Sequence, residues 1–467
     1  MAFHDISFLF LLFPLVLLAH KVMPRAGKNG VLLAFSLLFY AWGEPRYVAV
    51  LVLSIVFNYF SGLAMAAYQA GEKPGRAKFA LISAVVMNLL LLGFFKYAGF
   101  LVDNLNALLG LELSFPVKSM PIGISFFTFS ILSYLFDVYR GKAPVAKNVL
   151  DFSLFVAFFP KLVSGPIVQY GKMQEQIRER TVKPAHFGQG CRLFLIGLSK
   201  KMLLSNTIGN AFYALTAMEQ VSVASAWLGA VSYALMLYYD FSGYSDMAIG
   251  IARMFGFEFD KNFDYPYISV SVTEFWRRWH ISLGAWFRDY VYIPLGGSRE
   301  GQGKTVRNLC VVWLLTGIWH GANWTFVLWG VYHGCLLLVE KFVLKDLLEK
   351  IPAAIRRMVT FLLVVIGWVF FFSADLGSAL SWLGQMFGIG AAGFLDGTAK
   401  YYLGSSWLVL LLGLLGATPL CANLAGNIYR GGKLPVALSV VWFGVLLALC
   451  VAGMMSGTYS TFLYFQF

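Results

Sequence analysis

The sequence predicts an all-α, polytopic transmembrane helix bundle. Of its 467 residues, 59% are hydrophobic and 13% are charged, and the mean hydropathy is +0.71, far from the balance of a soluble domain. A bilayer core of about 30 Å needs roughly 20 apolar residues per helix, and the chain contains about a dozen such runs between short polar loops. With no long hydrophilic stretch, we expect one integral-membrane domain over residues 1–467, with a motif-rich core at about 120–340 and flanking transmembrane helices at 1–119 and 341–467.

The placement of charge predicts the orientation of these runs. The net charge of +13 lies in short loops, which indicates cytoplasmic loops and not a nucleic-acid-binding surface. The first run, about 6–22, has basic residues after it and none before it, so it is interpreted as a retained helix. Alternation from there predicts twelve spans, a cytoplasmic loop at 253–307, and both termini outside the cytoplasm.

One apolar segment is predicted not to cross. Residues 151–170 are interrupted by Pro160, Lys161 and Pro166 and have basic clusters on both sides. Crossing would break the charge rule. We expect a re-entrant or interfacial segment surrounded by protein or by a wet cavity.

Two motifs resemble soluble-enzyme signatures and do not match them. The stretch GGSREGQGKT, 296–305, has Ser298 where a phosphate-binding loop needs glycine. The stretch GYSDM, 243–247, has Met247 where a nucleophile elbow needs its second glycine. Neither nucleotide hydrolysis by a phosphate-binding loop nor serine-hydrolase chemistry is expected.

The cytoplasmic loop contains an amphipathic pattern in residues 273–297. Wound as one helix, it gathers aromatic residues, with Trp276 and Trp279 among them, on one face. The opposite face is basic, and His280 lies on the rim of the aromatic face. We expect one interfacial helix ended by Pro294, with its aromatic face among lipids. The arginines of the basic face are Arg277, Arg278 and Arg288. This face would bind anionic lipid or the phosphates of an acyl-coenzyme A. Alternatively, the helix only anchors the loop to the membrane.

Two carboxylates lie inside the apolar run at 235–257. An ionised carboxylate there costs at least about 2.5 kcal/mol unless it is paired or wet. Asp246 shares a helical face with Arg253, so an internal ion pair is expected. Asp240 has no cation within two turns and is a candidate for the lining of a polar cavity.

His320 is the one ionisable residue in TGIWHGANW, residues 316–324. It lies thirteen residues after Arg307, about 20 Å along a regular helix and so past the bilayer midplane. Gly317 and Gly321 leave room for a neighbouring backbone or a ligand. A buried neutral imidazole accepts a proton from a hydroxyl, but an interhelical hydrogen bond explains a lone membrane histidine equally well. On a continuous helix His333 would point about 220° away from His320, outside its pocket.

Several long stretches together carry a family resemblance. They are LYYDFSGYSDMAIG, NFDYPYISVSVTEFWRRWHISLGAWFRDYVYIPLGG and TGIWHGANWTFVLWG, with PIGISFFTFSILSYLFDVYRG and FFPKLVSGPIVQY upstream. In this order they resemble the membrane-bound O-acyltransferase family, within it the bacterial branch typified by alginate O-acetyltransferase. The resemblance implies a bundle with a central funnel or tunnel, where a cytoplasmic acyl donor meets an acceptor hydroxyl from outside. It also implies that His320 is the essential histidine and His280 the second, more variable one.

The expected function is therefore O-acetylation at the plasma (inner) membrane. Acetyl-coenzyme A would be a donor substrate and not a bound cofactor, and no metal or nucleic acid is expected. The acceptor would be an exported polysaccharide, reached directly or through an extracytoplasmic SGNH-type acetyltransferase partner. His320 would be the base, with Trp319 or Asn323 stabilising the developing charge. D-alanyl transfer from a carrier protein to teichoic acid, and a solute transporter or exporter, remain alternatives.

Overall fold

The computed structural model describes residues 2–115, 119–429 and 433–456, and every regular element within them is helical. The all-α prediction is confirmed. The two chain ends whose sides were predicted, Met1 and residues 457–467, lie outside the described residues.

The chain divides into two compact units, of which the first comprises Met1–Phe194 and Ser245–Asp260. It opens on a π-helical stretch, Phe8–Leu12, that continues into the first α-helix. Its helices are α1 (Phe13–Val22), α2 (Lys28–Gly43), α3 (Val48–Ala70), α4 (Pro74–Lys96), α5 (Ala98–Leu109), α6 (Ile124–Tyr139), α7 (Val149–Ala157), α8 (Phe159–Leu162), α9 (Tyr170–Glu179) and α10 (Pro184–Ser199), the last of which ends in the second unit.

The second unit comprises Leu195–Tyr244 and Lys261–Phe467. It contains π-helical turns at Lys200–Ser205 and Arg288–Tyr292. Its helices are α11 (Asn206–Thr216), α12 (Val223–Met254), α13 (Val272–Arg278), α14 (Ile281–Phe287), α15 (Gln302–His320), α16 (Trp324–Phe342), α17 (Lys345–Lys350), α18 (Ala353–Phe372), α19 (Leu376–Met386), α20 (Gly397–Gly416), α21 (Leu420–Tyr429) and α22 (Lys433–Met455). The end of α12 belongs to the first unit.

Within the described residues, six helices are long and apolar enough to cross a bilayer. This supports a multi-pass membrane protein, while the expected twelve spans remain a prediction. Three shorter apolar helices lie at Phe8–Val22, Ala98–Leu109 and Ile124–Tyr139. The six candidate spans are Pro45–Ala70, Pro74–Lys96, Trp324–Phe342, Ala353–Phe372, Gly397–Gly416 and Ala437–Met455.

Buried polar contacts join helices of the first unit. Asn58 on α3 and Asn88 on α4 exchange amide hydrogen bonds of 3.2 and 2.7 Å.

The segment predicted not to cross is broken between α7 and α8 at Phe158, and residues 154–168 are buried throughout. Such an interrupted backbone is tolerated at membrane depth only inside protein.

Helices α15 and α16 of the second unit form a hairpin with direct backbone contact. A Cβ on Gly317 would lie 2.5 Å from the Phe326 carbonyl oxygen, and one on Gly330 would lie 2.5 Å from the Trp313 carbonyl oxygen. Only hydrogen fits at these two positions. The expectation that Gly317 admits a close backbone neighbour is therefore confirmed, and the approach brings the end of α15 against α16.

The prediction of one amphipathic helix within residues 273–297, ended by Pro294, is wrong. The chain forms α13 and α14, separated by Trp279 in an extended conformation and His280 in the left-handed region (φ 45°, ψ 54°). Backbone hydrogen bonds cause the break: the Ile281 N–H donates to the Asn262 carbonyl and the Asp264 N–H to the Arg278 carbonyl, both at 2.9 Å. The following turn is π-helical and ends at Tyr292, before Pro294.

Gly317→Ala should lower the free energy of unfolding by roughly 1–3 kcal/mol, because its methyl group would overlap a backbone oxygen that can move only with the helix. Thermal unfolding in detergent measures this as a lower melting temperature. Gly303→Ala, on the same helix with nothing within 4 Å of its Cβ, is the matched control. Equal melting temperatures for the two variants would contradict the hairpin contact.

Candidate active site

His320 is the last residue of α15, and 3% of it is exposed. Its Nδ1 lies 2.7 Å from the Thr316 carbonyl oxygen, one helical turn back. A carbonyl can only accept, so Nδ1 carries the proton and the lone pair is on Nε2. The ring packs against Trp319, Trp329 and Phe371, with centroids 5.0, 4.7 and 5.4 Å away.

His280 is also buried, with 2% exposed, at the break between α13 and α14. Its ring lies 4.7 Å from that of Phe241 and 6.2 Å from that of Trp319. Burial lowers the pKa of His280 well below its usual value, and the nearby His320 adds to the effect. The imidazole is therefore neutral at pH 7.

The two histidines share a neighbour, although the sequence predicts one in a cytoplasmic loop and the other inside a membrane span. Both rings contact the Trp319 indole. When residues 273–297 are wound as one helix, His280 falls on the rim of a surface predicted to face lipid. The break after Trp279 instead turns the chain towards the protein interior. Trp279 is 2% exposed, and its ring packs 4.9 Å from that of Trp368, so the aromatic face meets protein instead of lipid.

The expectation that His333 lies away from His320 is also wrong. The helix does not continue past His320, and the hairpin folds α16 back, so that both rings contact Trp329, at 4.7 and 5.2 Å. The Trp276 indole N–H donates to His333 Nδ1 at 3.3 Å. His333 Nδ1 is thus an acceptor, which fixes its tautomer. Its position gives it a packing role between Trp276 and Trp329.

A cavity of about 900 Å³ extends to His280. Its inner wall includes Trp276, Trp279, Trp313 and Thr316, the residue whose carbonyl binds His320. The basic residues that line it are Arg277, Arg288, Lys341, Lys345 and Arg356, of which all but Arg356 are exposed. The cavity therefore runs from an exposed basic end to a buried aromatic end.

Three of the basic lining residues were missed by the sequence reasoning. Lys341 lies in the last turn of α16, Lys345 begins α17 and Arg356 lies in α18, and the sequence reasoning did not place them at the site. Arg356 is half-buried, and its Nε has no hydrogen-bond partner among the described residues. A buried guanidinium N–H without a protein acceptor is suited to an anionic ligand. The signal available in the sequence was the basic cluster itself.

The predicted arginines divide between two roles. Arg277 lines the cavity, and so does Arg288, which also pairs with Asp289 at 2.8 Å. Arg278 instead pairs with Glu274 at 2.7 Å and lies 3.8 Å from Asp264. These ion pairs stabilise the turn that carries His280.

The two predicted stabilisers also differ. Asn323 is the N-cap of α16: its oxygen accepts from the Thr325 N–H at 3.0 Å, and its amide donates to the Ala374 carbonyl at 2.7 Å. That is a structural use of both ends of the side chain. Trp319 contacts the rings of both His280 and His320, and its role at the site remains a prediction.

The two carboxylates of α12 lie in different environments. Asp240 forms an ion pair with Lys201 at 2.5 Å, and both side chains are 1% exposed. This cation, 39 residues earlier, supplies the compensation that the sequence did not reveal, and Asp240 is not among the residues that line the cavity described above. Asp246 belongs to the first unit and is half-buried, and its pairing with Arg253 remains a prediction. Within the described part of the chain no cluster of His, Cys, Asp or Glu is placed to hold a metal ion.

The model of the membrane-bound O-acyltransferase family matches residues 142–376, which include His280 and His320. The chain belongs to this family. It is 39% identical to the probable alginate O-acetylase AlgI of Pseudomonas putida over the whole of both chains. It is 35% identical to the peptidoglycan O-acetyltransferase of Helicobacter pylori over 83% of this chain and 80% of that one. The teichoic acid D-alanyltransferase of Bacillus subtilis is 25% identical over 72% and 87%. Membership makes the protein an O-acyltransferase of the membrane.

Proposed function

We propose that this protein transfers acetyl groups from cytoplasmic acetyl-coenzyme A to hydroxyl groups of an exported polysaccharide at the inner membrane. The observation that carries the proposal is the cavity, which runs from exposed cations to the buried, neutral His280 and to Thr316, whose carbonyl binds His320. Phosphates of the donor bind at the basic end, and the apolar pantetheine arm lies along the tryptophans. The wider funnel, the cytoplasmic side of the basic loop and the external termini are part of this proposal.

His320 is the proposed base. Its Nε2 takes the proton of the acceptor hydroxyl while the hydroxyl oxygen bonds to the thioester carbonyl carbon. The carbon–sulfur bond then breaks, and the coenzyme A sulfur leaves with the proton held by the imidazolium. Both the ester and the free thiol are accounted for, and no metal is needed in these steps.

The carbonyl oxygen becomes negative during the reaction and needs hydrogen-bond donors. Trp319 keeps its proposed part as a donor, and Trp329 replaces Asn323 as the second. The Trp329 indole N–H is buried and has no acceptor among the described residues, and its ring lies 4.7 Å from that of His320. His280 steadies the donor by accepting a hydrogen bond or shares the proton transfer; both roles require a neutral Nε2.

The acceptor is proposed from the relatives. Alginate and peptidoglycan, named for two of them, are both exported polymers. The acetyl group reaches the polymer directly or through an extracytoplasmic acetyltransferase partner of the SGNH type. D-alanyl transfer from a carrier protein is less well supported, since the relatives so named are about 25% identical. Solute transport is disfavoured by membership of an acyltransferase family.

His320→Gln should reduce acetyl transfer by about 10²–10⁴-fold, because a positioned base contributes that factor. Acetyl-coenzyme A binding should persist, since the basic end of the cavity is untouched. Radiolabelled transfer to polymer in membranes and equilibrium binding in detergent measure the two effects. His186→Gln, in the first unit, is the control and should match the wild type. Undiminished transfer by His320→Gln would remove it as the base.

Arg356→Ala should raise KM for acetyl-coenzyme A roughly tenfold or more while kcat changes little, because a charge-assisted phosphate contact contributes about 1.5–3 kcal/mol. With acetyl-pantetheine, which lacks the phosphates, the variant and the wild type should have the same KM. The control is Arg357→Ala, an exposed neighbour that does not line the cavity. Use of an acyl carrier protein but not of acetyl-coenzyme A by the wild type would favour the D-alanyl alternative.

A further inference from the structure

Asn262 is a buried residue without a role in the reaction described above. It is 1% exposed and lies in the segment between α12 and α13. Its Oδ1 accepts from the Ser282 N–H at 3.0 Å and from the Ser282 hydroxyl at 2.9 Å. A backbone N–H is always a donor, so the atom at this place is the amide oxygen.

The same oxygen faces His280 Nδ1 at 3.3 Å. Because an amide oxygen only accepts, His280 must carry its proton on Nδ1 there, which leaves the lone pair on Nε2. His320 has the same tautomer, fixed by the Thr316 carbonyl. The two imidazoles at the site are thus given equivalent basic nitrogens by two unrelated contacts.

Asn262 also holds the backbone of His280. Its carbonyl accepts from the Ile281 N–H at 2.9 Å, directly after the residue at φ 45°. A left-handed conformation is unfavourable for a residue other than glycine and persists only where surrounding contacts enforce it. One residue therefore fixes the position of His280 through its main chain and the tautomer through its side chain.

We infer that Asn262 is a positioning residue that holds His280 at its turn with the proton on Nδ1 and the basic nitrogen at Nε2, in the acyl-transfer site. The inference rests on the proposed function for its consequence in catalysis. The amide is the right group for this purpose, since a carboxylate would stabilise the imidazolium and take the lone pair away.

The groups packed against His280 do little to stabilise its protonated, positively charged form. The rings packed against it belong to Phe241, Phe263 and Trp319. His320 is the titratable group that acts on it, and it disfavours a second positive charge. The nearest charges along the two paired segments are Lys261, Asp264 and Arg278, and Asp264 lies 2.9 Å from Lys261 and 3.8 Å from Arg278. An introduced carboxylate at residue 262 would therefore dominate the charge state of His280.

Asn262→Asp is the test, because it keeps the shape and supplies the opposite charge. Diethyl pyrocarbonate modifies only unprotonated imidazole, so peptide mass spectrometry of full-length protein reports the protonation of each histidine. In the wild type, labelling of His280 should not change between about pH 5 and 8. In the variant its midpoint should enter this range, raised by roughly one pH unit or more. His186 is the internal control, and its midpoint should be the same in both proteins.

Activity gives the second readout. At the acid end of the range the variant should lose acetyl transfer that returns as the pH rises, whereas Asn262→Ser should lose activity at every pH. Identical His280 labelling in Asn262→Asp and the wild type would overturn the inference, whether or not transfer is seen. Absence of acetyl transfer in the wild type would instead overturn the proposed function, and the labelling would still decide the role of Asn262.

Discussion

The contact between the backbones of α15 and α16 at Gly317 and Gly330 places everything else at the site. It sets the two helices so close that His320, at the end of one, packs against Trp329 of the other. Trp329 in turn contacts His333, which accepts the Trp276 indole hydrogen bond. The close approach at this pair of glycines therefore positions the tryptophans that form the inner wall of the cavity.

The charged residues of the site lie apart from the imidazoles that are proposed to carry out the reaction. Its cations lie where the cavity is exposed, and its two imidazoles are buried among aromatic rings, where burial lowers the pKa of His280. A basic nitrogen is useful only if it is unprotonated and correctly oriented, and each imidazole obtains its orientation from an oxygen that can only accept. The Thr316 carbonyl serves His320, and the Asn262 amide serves His280.

The sequence predicted features that depend on local pattern. The all-helical membrane class follows from apolar run length, and His320 was evident as a single ionisable residue between tryptophans. Gly317 marked a place where a backbone or a ligand could approach closely, and the structure shows the backbone of α16 there. These inferences need no knowledge of distant residues.

The failures each involve a partner far along the chain. A helical wheel assumes continuous helical dihedrals, so it could not show that the Asn262 carbonyl interrupts the helix at Ile281. A cation for Asp240 was expected only within two helical turns along the chain, and its partner Lys201 lies farther away than that. His333 was placed on a helix that in fact ends at His320, and Arg356 reaches the cavity from a segment that the wheel did not include.

The central claim is that the cavity holds the acyl donor with its acyl group at the histidines. A cryo-EM map of the protein in nanodiscs with a non-hydrolysable thioether analogue of acetyl-coenzyme A tests it most directly. If the cavity binds the acyl donor in this way, nucleotide density will lie beside Arg277 and Arg356, with the acyl carbonyl carbon within reach of His320 Nε2. Analogue density outside this cavity, or in it with the acyl end away from both histidines, would rule out this binding mode.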